Sequence, residues 1–95
     1  MIIVSQDKNM IINFNSIVST YVIKNYVSEE KGYKGYNIDF ATNEEINFVL
    51  ATYETEERAK EVLQEIISKY KTTLYNSKTN ETVVNIPKVY EMPAK

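Results

Sequence analysis

Cysteine and histidine are both absent from this chain. With them go the thiolate nucleophile, any disulfide framework, the usual zinc ligand sets and the imidazole base. General acid–base work would fall to Glu, Asp, Lys or Tyr with shifted pKa values. Glycine and proline occur only twice each, so most of the chain is free to enter regular elements. Arg58 is the only arginine, and the formal net charge is −2. Bidentate recognition of phosphate or guanine draws on arginine, and non-specific nucleic-acid affinity draws on a positive field. Direct DNA binding is therefore not expected. Nor is there a Gly-rich phosphate loop or a GxSxG elbow: Gly32-Tyr33-Lys34-Gly35 has neither spacing.

What remains is ordinary globular composition, with 43% hydrophobic and 25% charged residues in 95 positions. This is enough for a single domain over residues 1–95, near the lower comfortable size for folding alone, where oligomerisation would help. The apolar start Met1-Ile2-Ile3-Val4 is cut off by Ser5-Gln6-Asp7-Lys8, too soon for a signal-peptide core or a membrane span. A cytoplasmic location is the expectation, with no membrane partner.

The periodicity predicts an α+β fold: an antiparallel β-meander of about five strands, then one amphipathic helix packed on one face, then a short C-terminal strand or tail. Ile2 to Ser5 and Met10 to Phe14 are short apolar runs around the turn residues Asp7-Lys8-Asn9. Ile17 to Tyr26 is β-branched and aromatic. Ser28 to Lys34 reads as a polar loop. Tyr36, Ile38 and Phe40 then alternate with Asn37, Asp39 and Ala41. In the next strand the same alternation puts Ile46, Phe48 and Leu50 on one face and Val49, Ala51 and Tyr53 on the other. At Thr55 the period changes. Ala59, Val62, Leu63, Ile66, Ile67 and Tyr70 recur at helical steps, with Thr55 as N-cap and Glu56-Glu57 in the first turn. Thr82 to Ile86 reads as a further short strand, and Lys88 to Met92 as an edge segment or tail.

One helix covers one sheet face. Its stripe is expected on Ile38, Phe40, Phe48 and Leu50. The opposite face, with Val49, Ala51 and Tyr53 and with Val18, Thr20 and Val22, is a candidate interface unless Val83, Val84, Ile86 and Val89 fold back over it. Two surfaces carry recognisable chemistry. Tyr33, Lys34 and Tyr36, next to Tyr26, Lys24 and Lys31, interleave stacking rings with cations in the manner of nucleotide binders. This makes them the candidate ligand residues. Glu54, Glu57 and Glu61, with Val49 and Tyr53, are the candidate partner-binding residues. Glu56 and Glu65 extend this acidic helix face, which could imitate nucleic acid toward a basic groove. No spacing of carboxylates points to a metal centre, no catalytic set is expected, and no cofactor is implied.

Met1-Ile2-Ile3-Val4-Ser5-Gln6-Asp7-Lys8, Ile12-Asn13-Phe14, the helical run Tyr53-Glu54-Thr55-Glu56-Glu57-Arg58-Ala59-Lys60-Glu61-Val62-Leu63-Gln64-Glu65-Ile66 and the later Val89-Tyr90-Glu91-Met92-Pro93 together resemble a family of small proteins from phages, prophages and mobile elements of low-GC Gram-positive bacteria. The likeness covers both ends and the helix. It implies a context rather than a set of site residues: an accessory protein acting in the bacterial host cell by binding a host protein or defence component, such as a CRISPR effector. The alternatives are a homodimer or larger oligomer that sequesters a cyclic-nucleotide immune signal, and a structural or regulatory interaction module without an anti-defence role.

Overall fold

The first strand, β1 (Ile2–Val4), pairs antiparallel with β2 (Ile11–Asn13) across a turn built by side chains. The Asn9 N–H and the Ser5 hydroxyl both donate to Asp7 Oδ1, at 3.0 and 2.7 Å, and hold that carboxyl below its usual range. Lys8 takes the left-handed conformation at φ 62°. The computed structural model describes residues 1–44, 46–79 and 89–95, with side chains within the helix described as far as Lys71. The expected strand at Thr82 to Ile86, and the fold-back of Val83, Val84 and Ile86, lie outside the described residues.

A short 3-10 turn, Phe14–Ser16, ends β2 and separates the strands into two sheets. This is where the meander departs from expectation. The second sheet is the long hairpin β3 (Ser19–Ser28) and β4 (Gly32–Ala41), followed by β5 (Asn47–Tyr53), in the order β3-β4-β5 and antiparallel throughout. The segment expected to be polar loop is thus mostly strand: β3 runs to Ser28, and β4 already begins at Gly32. The last strand, β6 (Val89–Glu91), returns to the first sheet and lies parallel to β1, giving β2-β1-β6.

The helix α1 (Glu56–Thr79) begins as its cap residue predicts. Thr55 Oγ1 accepts from the Arg58 N–H at 3.1 Å, satisfying one of the donors that a helix start leaves open. Lys60 and Glu56 form an ion pair at 2.7 Å one turn apart. Ala59, Val62 and Ile66 are fully buried, with Leu63 and Tyr70 packed beside them. They meet Ile38, Phe40, Leu50 and Ala51 from the long sheet, Ile3 and Tyr90 from the short one and Met92 just after it, so both sheets share one core.

A β-bulge corrects the expected faces of β5. Ile38 pairs with Ala51, but the next residue, Asp39, pairs with Val49, which leaves Leu50 without an opposite partner. The extra residue reverses the alternation. Ala51 and Tyr53, expected opposite the helix, lie in the core at 3% exposure each, and Leu50 stays buried between the two registers. Val22 and Thr20 also share the helix side, since they pair with Ile38 and Phe40. Phe48 stacks on Phe40 with ring centroids 5.2 Å apart, but at the sheet's end it remains 40% exposed.

Candidate binding surface

The face of the long sheet turned away from α1 carries the alternate residues Tyr21 and Ile23 of β3, Asn37 and Asp39 of β4, and Val49 and Thr52 of β5. Ile23 and Val49 are each 47% exposed. Across the strands runs a polar rail. The Asn25 amide donates to the Lys34 carbonyl at 3.0 Å, the Asn37 amide to Asn25 Oδ1 at 3.1 Å, and the Thr52 hydroxyl to Asn37 Oδ1 at 2.6 Å. Asn37 is 7% exposed, a buried amide with partners on both sides. Neighbouring Asp39 has no such support. Its Oδ1 is buried without a partner among the described residues, and burial raises its pKa above the usual carboxylate value.

Asp39 lies off the core face, as the alternation of β4 predicts. The rail has no local signature in the sequence. Asn37 stood at a polar position of an alternating strand, but its partners Asn25 and Thr52 come into range only through strand pairing.

The candidate ligand residues divide. Tyr33 projects from the hairpin at 64% exposure and meets Tyr26 edge-to-face at 5.6 Å. Lys34 is exposed beside it. Tyr36 lies beyond a second irregularity in the hairpin, half-buried, and lines a shallow hollow with Glu54, Thr55, Glu56, Glu57 and Lys60 at the helix start. Gly35 makes the step between them. Its φ is +76°, and a Cβ there would stand 2.7 Å from the Tyr53 carbonyl oxygen, closer than any side chain tolerates.

The candidate partner residues divide as well. Glu54, Glu57 and Glu61 are exposed around the first turns of α1, with Glu61 3.6 Å from Arg58. Val49 is exposed on the open sheet face. Tyr53 leaves the set, because the bulge buries it. Its hydroxyl donates to the Pro93 carbonyl at 2.8 Å, and burial pushes its pKa up to about 12. Tyr90 likewise donates to Glu65 at 2.6 Å and is raised by burial and by that carboxylate. Arg58, 5.9 Å from the Tyr53 ring centre, donates to the Lys95 carbonyl at 3.1 Å and borders a cleft of about 420 Å³ with Thr52, Glu54 and Ala94.

Among the described residues no three acidic side chains group closely enough to hold a metal ion, and no helix is long and apolar enough to cross a membrane. No family model, no curated protein and no solved structure matches the chain.

Proposed function

We propose that the protein is a non-enzymatic accessory protein of a phage or mobile element, which binds and blocks a bacterial host protein in the host cytoplasm, a CRISPR effector being one example. The observation that carries the binding role is the open face of the long sheet, where Ile23 and Val49 stand exposed around the Asn25–Asn37–Thr52 rail. A broad surface of apolar residues set around a hydrogen-bonded rail suits a protein partner better than a small molecule, which is held by concave sites. The carboxylates Glu54, Glu57 and Glu61 extend the chemistry at the helix start. The best-buried tyrosines, Tyr53 and Tyr90, are raised and fixed in hydrogen bonds, a poor state for proton transfer near neutral pH. The phage and host context rests on the resemblance of the sequence.

The test is direct binding of the purified protein to candidate host effectors, beside a plasmid-interference assay in cells. Val49→Lys should abolish binding and restore interference, since it places a charge on the exposed apolar part of the face. Glu57→Lys with Glu61→Lys reads out the acidic rim. Unchanged binding by both variants would remove this reading.

One observation favours a second reading, a homo-oligomeric sponge for a cyclic nucleotide. The exposed Tyr26–Tyr33 ring pair, with Lys24 and Lys34 nearby in the same hairpin, offers stacking and charge together. Native mass spectrometry of gently purified protein separates the two: added mass of a nucleotide, lost in Tyr33→Ala, belongs to the sponge.

A further inference from the structure

We propose that β3 is a self-association edge: two copies of this chain pair β3 with β3, antiparallel about a twofold axis, to form one six-stranded sheet. The inference is independent of what the protein binds.

The long sheet has two edges, and the chain treats them differently. At the β5 edge the Gln6 N–H donates to the Leu50 carbonyl at 2.9 Å. The Gln6 side chain then meets both backbone groups of Thr52, its Oε1 accepting from the N–H at 2.9 Å and its Nε2 donating to the carbonyl at 3.0 Å. One glutamine amide thus does the work of a paired strand residue. The same Nε2 lies 3.1 and 3.0 Å from the carbonyls of Pro93 and Ala94, tying the C-terminal residues over that edge.

At the β3 edge no backbone partner occurs among the described residues. β3 is ten residues long, and every second N–H and C=O of an edge strand points outward. Natural edges are blunted by proline, by charge, by bulges or by shortness. The two register shifts of the hairpin both lie beyond Lys24, toward the tip. The stretch Ser19-Thr20-Tyr21-Val22-Ile23-Lys24 is regular, holds no proline and no acid, and carries one lysine at its end. Val18 just before it is 62% exposed.

A second copy fits this edge for three reasons. A twofold antiparallel pairing aligns like faces, so Tyr21 and Ile23 of the two copies fall on one side and their open faces become continuous. An axis through Tyr21 or Val22 sets β-branched and aromatic residues opposite one another, the favoured cross-strand pairs, and places Lys24 opposite Val18 or Thr20 rather than the other Lys24. The edge also lacks the charge pattern that would select a foreign strand, whereas a small domain gains stability from its own copy.

Sedimentation equilibrium of the full chain, with hydrogen exchange followed over a wide concentration range, tests this. The expected mass is twice the 11.0 kDa of the chain. The outward-pointing amides within Ser19–Lys24 should gain protection as concentration rises, while β5 amides stay unchanged. Ile23→Lys should shift the protein to monomer while keeping its circular dichroism, and Val49→Lys, on the same face but on β5 at the opposite edge, should stay dimeric. If Ile23→Lys fails to fold, the exchange pattern of the unaltered chain decides. A monomer at all concentrations, a dimer whose β3 amides gain no protection, or β3 protection that appears only when a host protein is added would overturn the proposal.

Discussion

The two faces of the β3-β4-β5 sheet are built from the same three strands and held by different forces. Toward α1 lie Ile38, Phe40, Leu50 and Ala51, all buried, and the helix face Ala59, Val62 and Ile66 closes on them. Away from it lie Tyr21, Ile23 and Val49, part-exposed, around amides and hydroxyls that satisfy one another. Apolar burial scales with area and tolerates no gap. The rail adds little net free energy while complete, but it is costly to leave half-made. The first face therefore sets stability, and the second is left open to recognition at small cost to the fold.

The sharpest way to break this comparison is to truncate one isoleucine on each face. Ile38 is 0% exposed, and Ile38→Ala should destabilise by about 2–5 kcal/mol, from lost transfer energy and the cavity left behind. Ile23→Ala on the open face, at 47% exposure, should change stability by roughly 0.5 kcal/mol or less. Urea unfolding of both variants measures the ratio. Equal effects would mean that the open face is covered in solution.

Asn37→Ala comes next. It takes the partner from Asn25 Oδ1 and from the Thr52 hydroxyl at once, and the expected loss is about 1–3 kcal/mol. A Thr52→Val change on the same background should then cost less than it does alone, since the two groups share one network. Additive losses would show that the rail is only a row of separate contacts.

How much of this the sequence disclosed follows from the range of the forces involved. The helix was legible because its signals are local: the cap at Thr55, acids in the first turn and the three- and four-residue spacing from Ala59 to Tyr70 all lie within one segment. Strand β4 was legible for the same reason, as Ile38 and Phe40 alternate with Asn37 and Asp39. The bulge at Leu50 was not, because an extra residue is visible only against the partner strand, and missing it put Tyr53 on the wrong face. The return of β6 to pair with β1 was equally hidden, being a contact between opposite ends of the chain. Gln6 had no signal at all. Its role at the edge of β5 depends on an approach of 46 positions in sequence.

The smallest expected effect has the opposite sign. Asp39 sits on the open face with Oδ1 buried and unpartnered among the described residues, and burial raises its pKa. A raised carboxyl pKa means that the folded chain holds its proton more tightly than the unfolded chain does. The contribution of this group is therefore most favourable below the unfolded value of 3.8, and it declines as pH rises through the raised folded value, leaving a penalty near neutral pH. Asp39→Asn removes the charge and keeps the shape. It should melt slightly higher than the unaltered protein near neutral pH, with the gain vanishing below pH 3.8. A loss on substitution near neutral pH would mean that the ionised carboxylate is held by a contact in solution, and the open face would then carry a charged anchor beside its rail.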